Sequence, residues 1–111
     1  MKIVRYEDVS PQPVTQEGAD QVNIRWLIAK EDGAPHFAMR LFEIKPGGHT
    51  PIHRHSNEHE VFFLEGEAAV VRDGKEVPVS PGTAVYVPPD EEHGFINRGK
   101  GVVRMLCMVP I

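Results

Sequence analysis

Three histidines, His53, His55 and His59, fall within seven residues, and a fourth stands at His93. Imidazole is the commonest protein ligand for metals and is neutral at physiological pH, so several rings gathered in one place point to a bound cation. His53 and His55 are two apart, and on an extended chain alternate side chains share a face. Ser56 and Asn57 have turn character, and a tight reversal there brings His59 back beside the first pair. His93 opens a segment, His93-Gly94-Phe95-Ile96-Asn97, on which His93, Phe95 and Asn97 share one face. His36 and His49 lack such spacing and read as ordinary surface or core residues.

The elements that must carry these side chains are short. Ten prolines and ten glycines punctuate brief apolar runs, which suits an all-β barrel or sandwich. Strands are expected at about 22–30, 37–45, 50–55, 58–65, 67–72, 75–79, 83–87, 93–97 and 101–109. Asp73-Gly74 marks the clearest hairpin turn. Residues 1–20, with Ser10-Pro11-Gln12-Pro13, read as an N-terminal arm of the same fold, and 21–111 as one domain; a chain of 111 residues holds a single core.

Composition narrows the function. Sixteen acidic against twelve basic residues give a net charge of −4 with no basic cluster, which argues against nucleic acid as a partner. No apolar run approaches the roughly 18 residues of a membrane span, and the N-terminus has no apolar signal core. One cysteine forms no internal disulfide, so a cytoplasmic location is the default expectation.

Gly47, His53-x-His55, position 59 and Gly66 are spaced as in the first motif of the cupins, and Gly82, Pro88-x-Asp90, His93 and Asn97 resemble the second. Asp90 stands where the family usually has glycine. The resemblance implies a double-stranded β-helix, the cupin jelly-roll barrel, with a metal inside one end. The family usually supplies a glutamate as third ligand, which here means position 59 or Glu60. The six-residue spacer back from Gly66 lands on His59, and alternation puts His59 on one face with Val61 and Phe63, so the ligand set reads His53, His55, His59 and His93 with Glu60 outside it. In this the chain resembles a small single-domain, four-histidine manganese cupin of a hyperthermophilic bacterium.

The resemblance implies one divalent transition metal, manganese or iron ahead of nickel, zinc and copper. Four neutral imidazoles leave such an ion its full charge, and six-coordination leaves two positions for substrate, water or dioxygen. Phe95, Met105 and Cys107 read either as apolar pocket walls or as core. Arg40, inside Ala38-Met39-Arg40-Leu41-Phe42, either meets an anion in the pocket or faces solvent. Asn97 either braces a ligand histidine or closes a turn.

Three functions on a small-molecule substrate follow: a metal-dependent oxidoreductase of dioxygenase or oxidative-cleavage type, an isomerase or lyase using the metal as Lewis acid, and a non-enzymatic binder. The oxidoreductase is placed first because no dedicated general base is visible: Glu58 and Glu60 alternate away from His59. Exposed strand edges, and the alternation of Val22, Ile24, Trp26 and Ile28, suggest a homodimer.

Overall fold

A computed structural model describes residues 1–111. Its nine strands are β1 (Gln12–Pro13), β2 (Asp20–Ile28), β3 (Phe37–His49), β4 (His59–Glu65), β5 (Ala68–Arg72), β6 (Lys75–Val79), β7 (Ala84–Val87), β8 (His93–Asn97) and β9 (Val103–Pro110). They form one curled antiparallel sheet in the order β6-β5-β8-β3-β9-β4-β7, with β2 laid on β3 and β1 on β2. This is a jelly-roll barrel, as the sequence implies. No helix is long and apolar enough to cross a membrane.

Strand β3 makes the curl possible. Over Phe37–Ile44 it pairs with β9, and at His49 it pairs with Ile96 of β8 in the other half of the barrel. Pro46-Gly47-Gly48 lies between these two pairings. Gly47 takes a left-handed φ of 82°, and a Cβ on Gly48 would come within 2.6 Å of the Asp20 carbonyl oxygen. Only glycine allows the strand to turn the corner so close to its neighbour.

Alternation supplies the core. On β4 the inward residues are His59, Val61 and Phe63, and on β9 they are Val103, Met105 and Cys107, all buried. Ile44, Val70, Val87 and Phe95 close over them, and the rings of Phe63 and Phe95 meet edge to face at 6.0 Å. On the outer face Glu43 accepts hydrogen bonds from Arg25 (2.7 Å) and Arg104 (2.8 Å), while Arg25 also donates to the carbonyls of Tyr6 and Val9. That network pins residues 6–9 of the N-terminal arm across the sheet.

Most expected strands appear within one to three residues of their places, and the Asp73-Gly74 turn has positive φ at both positions, as a tight type I′ hairpin requires. The expected strand at 50–55 is a correction. Only an isolated bridge, His53 to His93, is formed there. Pro51 has no N–H to give a ladder, and the chain wraps the mouth of the barrel instead of joining a sheet.

Two glycines with similar backbone angles separate strain from collision. Gly82 (φ 93°) has open space where a Cβ would stand, whereas at Gly66 (φ 86°) a Cβ would lie 2.4 Å from the Val102 carbonyl oxygen. Gly82→Ala is expected to cost about 1–2 kcal/mol from left-handed strain alone, and Gly66→Ala clearly more. Urea denaturation of the two variants decides it, and equal losses would contradict the packing described.

Candidate metal centre

The four histidines reach one place from two directions. His59 opens β4 facing inward, His93 opens β8 facing inward, and His53 and His55 hang from the connection between β3 and β4. That connection has little regular structure of its own, so the fold laces it to β8. His53 N–H donates to the His93 carbonyl (3.0 Å) and His93 N–H returns the bond (2.9 Å). Thr50 N–H donates to the Phe95 carbonyl, Phe95 N–H donates to the Thr50 hydroxyl, and Asp90 N–H donates to the His55 carbonyl at 2.8 Å. Asp90 stands at φ 66° in the left-handed region, which explains why glycine is common there and why a short Asx residue is tolerated.

The rings pack closely. His53 lies 4.9 Å from both His55 and His93, His55 lies 4.5 Å from His59 and 5.0 Å from His93, and His59 lies 5.3 Å from His93, centroid to centroid. Ligand atoms of His53, His55 and His93 all fall within 4.8 Å of one another, and the Nε2 atoms of His55 and His59 are 2.8 Å apart. Adjacent nitrogens on an ion with bonds near 2.1 Å are roughly 3 Å apart, so this spacing suits a divalent metal.

Hydrogen bonding to the far side of the rings supports the same use. His93 Nδ1 sits 2.9 Å from the Glu91 carbonyl, which only accepts; Nδ1 therefore carries the proton, and Nε2, buried and without a hydrogen-bond partner, keeps its lone pair. The Gln16 amide lies 3.2 Å from His53 Nδ1 and steadies that ring. Burial, and then the neighbouring rings His93 and His55, lower the proton affinity of His53. Burial, partly offset by the Glu91 carbonyl, lowers that of His93. For His59, burial and the Arg40 guanidinium bring the pKa down to about 3. These three rings therefore stay neutral at physiological pH.

The histidines line a cavity of about 570 Å³ whose wall includes Arg40, Phe42, Phe95, Met105, Cys107 and Val109, and no carboxylate. Phe95, Met105 and Cys107 serve both as cavity wall and as core, because the core ends where the cavity begins. Arg40 points inward, stacked near the rings of Phe42 (5.0 Å) and Trp26 (5.5 Å), with one Nη2 2.9 Å from Cys107 Sγ. Burial pushes the Cys107 thiol pKa up, with Arg40 opposing part of that shift. Asn97 does not touch the histidines: its Nδ2 donates to the carbonyls of Ile44 and Gly101 and its Oδ1 accepts from Gly99 N–H, so it closes a turn.

Glu60 is exposed on the outer face beside Tyr86 and Met108. Gln16 is absent from the expectations, since nothing in a polar arm marks it as the residue that reaches a ring 37 positions away.

The buried neutral rings set a pH dependence. An unfolded imidazole titrates near 6.5, whereas folded His53, His59 and His93 resist protonation, so below that pH the unfolded chain binds more protons. The metal-free protein is expected to lose stability as the pH falls from about 7.5 to about 5. His59→Gln should flatten that slope in urea titrations; a wild-type midpoint constant across the window would contradict the burial of neutral rings.

A family model for the cupin domain matches residues 40–109. The polyketide cyclase RemF from Streptomyces resistomycificus superimposes with a TM-score of 0.94 at 38% identity, covering 99% of this chain and 79% of that one. The oxalate-binding protein of Thermotoga maritima is 28% identical over 113 residues, 96% of this chain and 92% of the relative. The dimethylsulfoniopropionate lyase DddW of Ruegeria pomeroyi is 33% identical over 82 residues, 71% of this chain and 54% of the lyase. Cupins commonly bind a divalent metal, and three histidines here are placed to hold one. With both motifs built around one barrel end and the family match spanning more than half its length, the chain belongs to the cupin family.

Proposed function

We propose that the chain is a metal-dependent enzyme that activates the oxygens of a small 1,3-dicarbonyl compound for a non-redox step, such as cyclisation or isomerisation. His53, His55, His59 and His93 hold the metal, with Gln16 and the Glu91 carbonyl orienting His53 and His93. The observation that carries this reading is the charge pattern of the cavity: four imidazoles and two guanidiniums, those of Arg40 and Arg54, line it, with no carboxylate among them. A divalent ion bound there keeps its whole charge and supplies Lewis-acid polarisation of a carbonyl.

The chain's own residues fit the rest of the chemistry. Arg40 presents a cation without a carboxylate partner to the same cavity, where negative charge develops on a carbonyl oxygen. Phe42, Phe95, Met105 and Val109 offer apolar contact to the carbon skeleton. In an aldol cyclisation a methylene carbon forms a bond to a distant carbonyl carbon, the methylene proton leaves, and a proton ends on the former carbonyl oxygen; no oxidant is needed. A methylene between two carbonyls is acidic enough to give its proton to water, so the missing carboxylate base is no obstacle. The names of the cyclase and lyase relatives support this class over the oxidoreductase placed first from sequence.

The second reading, oxidation by dioxygen, draws on the positions a six-coordinate ion leaves open and on the apolar walls. Manganese or iron would serve it; the Lewis-acid reading works with zinc as well, since imidazole suits zinc, iron, nickel and copper. In a reducing cytoplasm Cys107 stays a thiol, which either reading needs for an unmodified wall.

Zinc-loaded protein, kept free of oxygen, is expected to convert linear β-diketones or β-triketones to cyclised or isomerised products, and His53→Ala to lose that activity at least about a hundredfold. Turnover that occurs only with iron or manganese and consumes dioxygen stoichiometrically would replace this reading with the oxidoreductase. Occupancy should fall much further in His59→Ala than in Glu60→Ala, by elemental analysis; the reverse order would make Glu60 the ligand.

We further propose a homodimer. Beyond β2 lies only the two-residue β1, and Phe62, Leu64 and Tyr86 are exposed on the outer face. Light scattering at micromolar concentration should give twice the chain mass, and a monomer mass would reject the dimer.

A further inference from the structure

The far sides of His59 and His93 meet opposite chemistry. His93 Nδ1 faces a backbone carbonyl, which can only accept a proton, so His93 is fixed with Nε2 free for a metal. His59 Nδ1 faces Arg40 Nη2 at 3.4 Å, a long contact with a group that can only donate. A neutral imidazole whose Nδ1 accepts must carry its proton on Nε2. That proton then lies on the line to His55 Nε2, 2.8 Å away, where a lone pair can receive it. Arg40, His59 and His55 thus form a donor-to-acceptor chain that ends at His55, whose Nδ1 is buried without a partner, and the His59 nitrogen that must bind metal is the one that holds hydrogen. The ligand atoms of His53, His55 and His93 form a mutual set within 4.8 Å to which His59 does not belong.

We infer that Arg40 is a positioning residue that makes His59 a conditional ligand: His53, His55 and His93 capture the metal, and His59 joins only when its ring exchanges tautomer against the Arg40 guanidinium. The inference rests on the metal centre proposed above. The surroundings of Arg40 fit a group that acts on this ring. It has no carboxylate partner, its Nε is buried without a hydrogen bond, and the rings of Trp26 and Phe42 limit where the guanidinium can go. Its other close polar contact, Cys107 Sγ, is a weak acceptor. A second consequence is that the coordination number becomes adjustable, because one of the four donors is held less firmly than the rest.

The test combines a tautomer readout with a metal affinity. Long-range proton–nitrogen NMR on the metal-free full chain should show His59 protonated at Nε2 and His93 at Nδ1. Competition with a chromophoric chelator then gives zinc affinity in three proteins. Arg40→Gln, whose amide oxygen can accept from Nδ1, should bind zinc at least about tenfold tighter than wild type, the scale at which partners of ligating histidines act. Arg40→Lys keeps a donor-only cation and should stay within about threefold. In cobalt-substituted protein the visible bands of Arg40→Gln should weaken relative to wild type as a further nitrogen joins the ion. His59 protonated at Nδ1 in the wild type, or a folded Arg40→Gln whose affinity is equal or weaker, overturns the inference. If Arg40→Gln does not fold, the wild-type NMR result alone decides it. A wild-type chain that takes up no zinc overturns the metal centre itself, whereas zinc binding without turnover overturns only the proposed reaction.

Discussion

The paired backbone hydrogen bonds between His53 and His93 are the constraint on which the site depends. They join the irregular segment after β3 to the first residue of β8, and so fix two of the four rings relative to the barrel. The other two follow from it. His55 is carried two residues further along the same segment, whose carbonyl is tied to Asp90, and His59 enters as the first inward residue of β4. Together with the Thr50–Phe95 and Asp90–His55 hydrogen bonds, the bridge holds a stretch that contains Pro51 and exposed Ile52 and belongs to no strand.

Charge is partitioned to match. The outer face holds a linked ion-pair network, with Glu43 between Arg25 and Arg104, and Arg104 also bonded to Glu65. Burial opposes the ionised form of Glu43, but hydrogen bonds from Arg25 and Arg104 outweigh it and hold its carboxyl below the usual range. The inner cavity has the reverse composition, imidazole and guanidinium without carboxylate. A divalent ion held there by the imidazole lone pairs would receive no neutralising charge from a carboxylate and would supply strong polarisation of an oxygen. The same cavity shares Phe95, Met105 and Cys107 with the core, so its apolar walls are as rigid as the barrel itself.

Much of this is legible in sequence because the relevant signals are periodic or stereochemical. Period-two alternation places His59 with Val61 and Phe63, and His93 with Phe95, and glycine and turn pairs mark most strand ends. The failures have a different origin. The segment at 50–55 alternates like a strand, but it meets β8 only at His93 and Phe95, and that meeting depends on how β3 bends around Gly47 and Gly48. Gln16 reaches His53 only because β1 lies on β2, a long-range arrangement invisible in a polar arm. The inward direction of Arg40 follows from its place on β3 between Trp26 and Phe42, whereas local hydropathy leaves both faces open to an arginine. Asn97 shares the inward face of His93, yet the carbonyls of Ile44 and Gly101 claim its amide, and only the assembled barrel brings those groups together.

The claim that these histidines form a metal centre is tested most directly by the metal content of the protein after exhaustive dialysis, wild type beside His93→Ala. The account predicts close to one divalent transition metal per wild-type chain and close to none in the variant, whose remaining rings lose the one nitrogen that the fold holds ready with its lone pair free. A wild-type protein without metal that also fails to take up manganese, iron, nickel or zinc on reconstitution would contradict it.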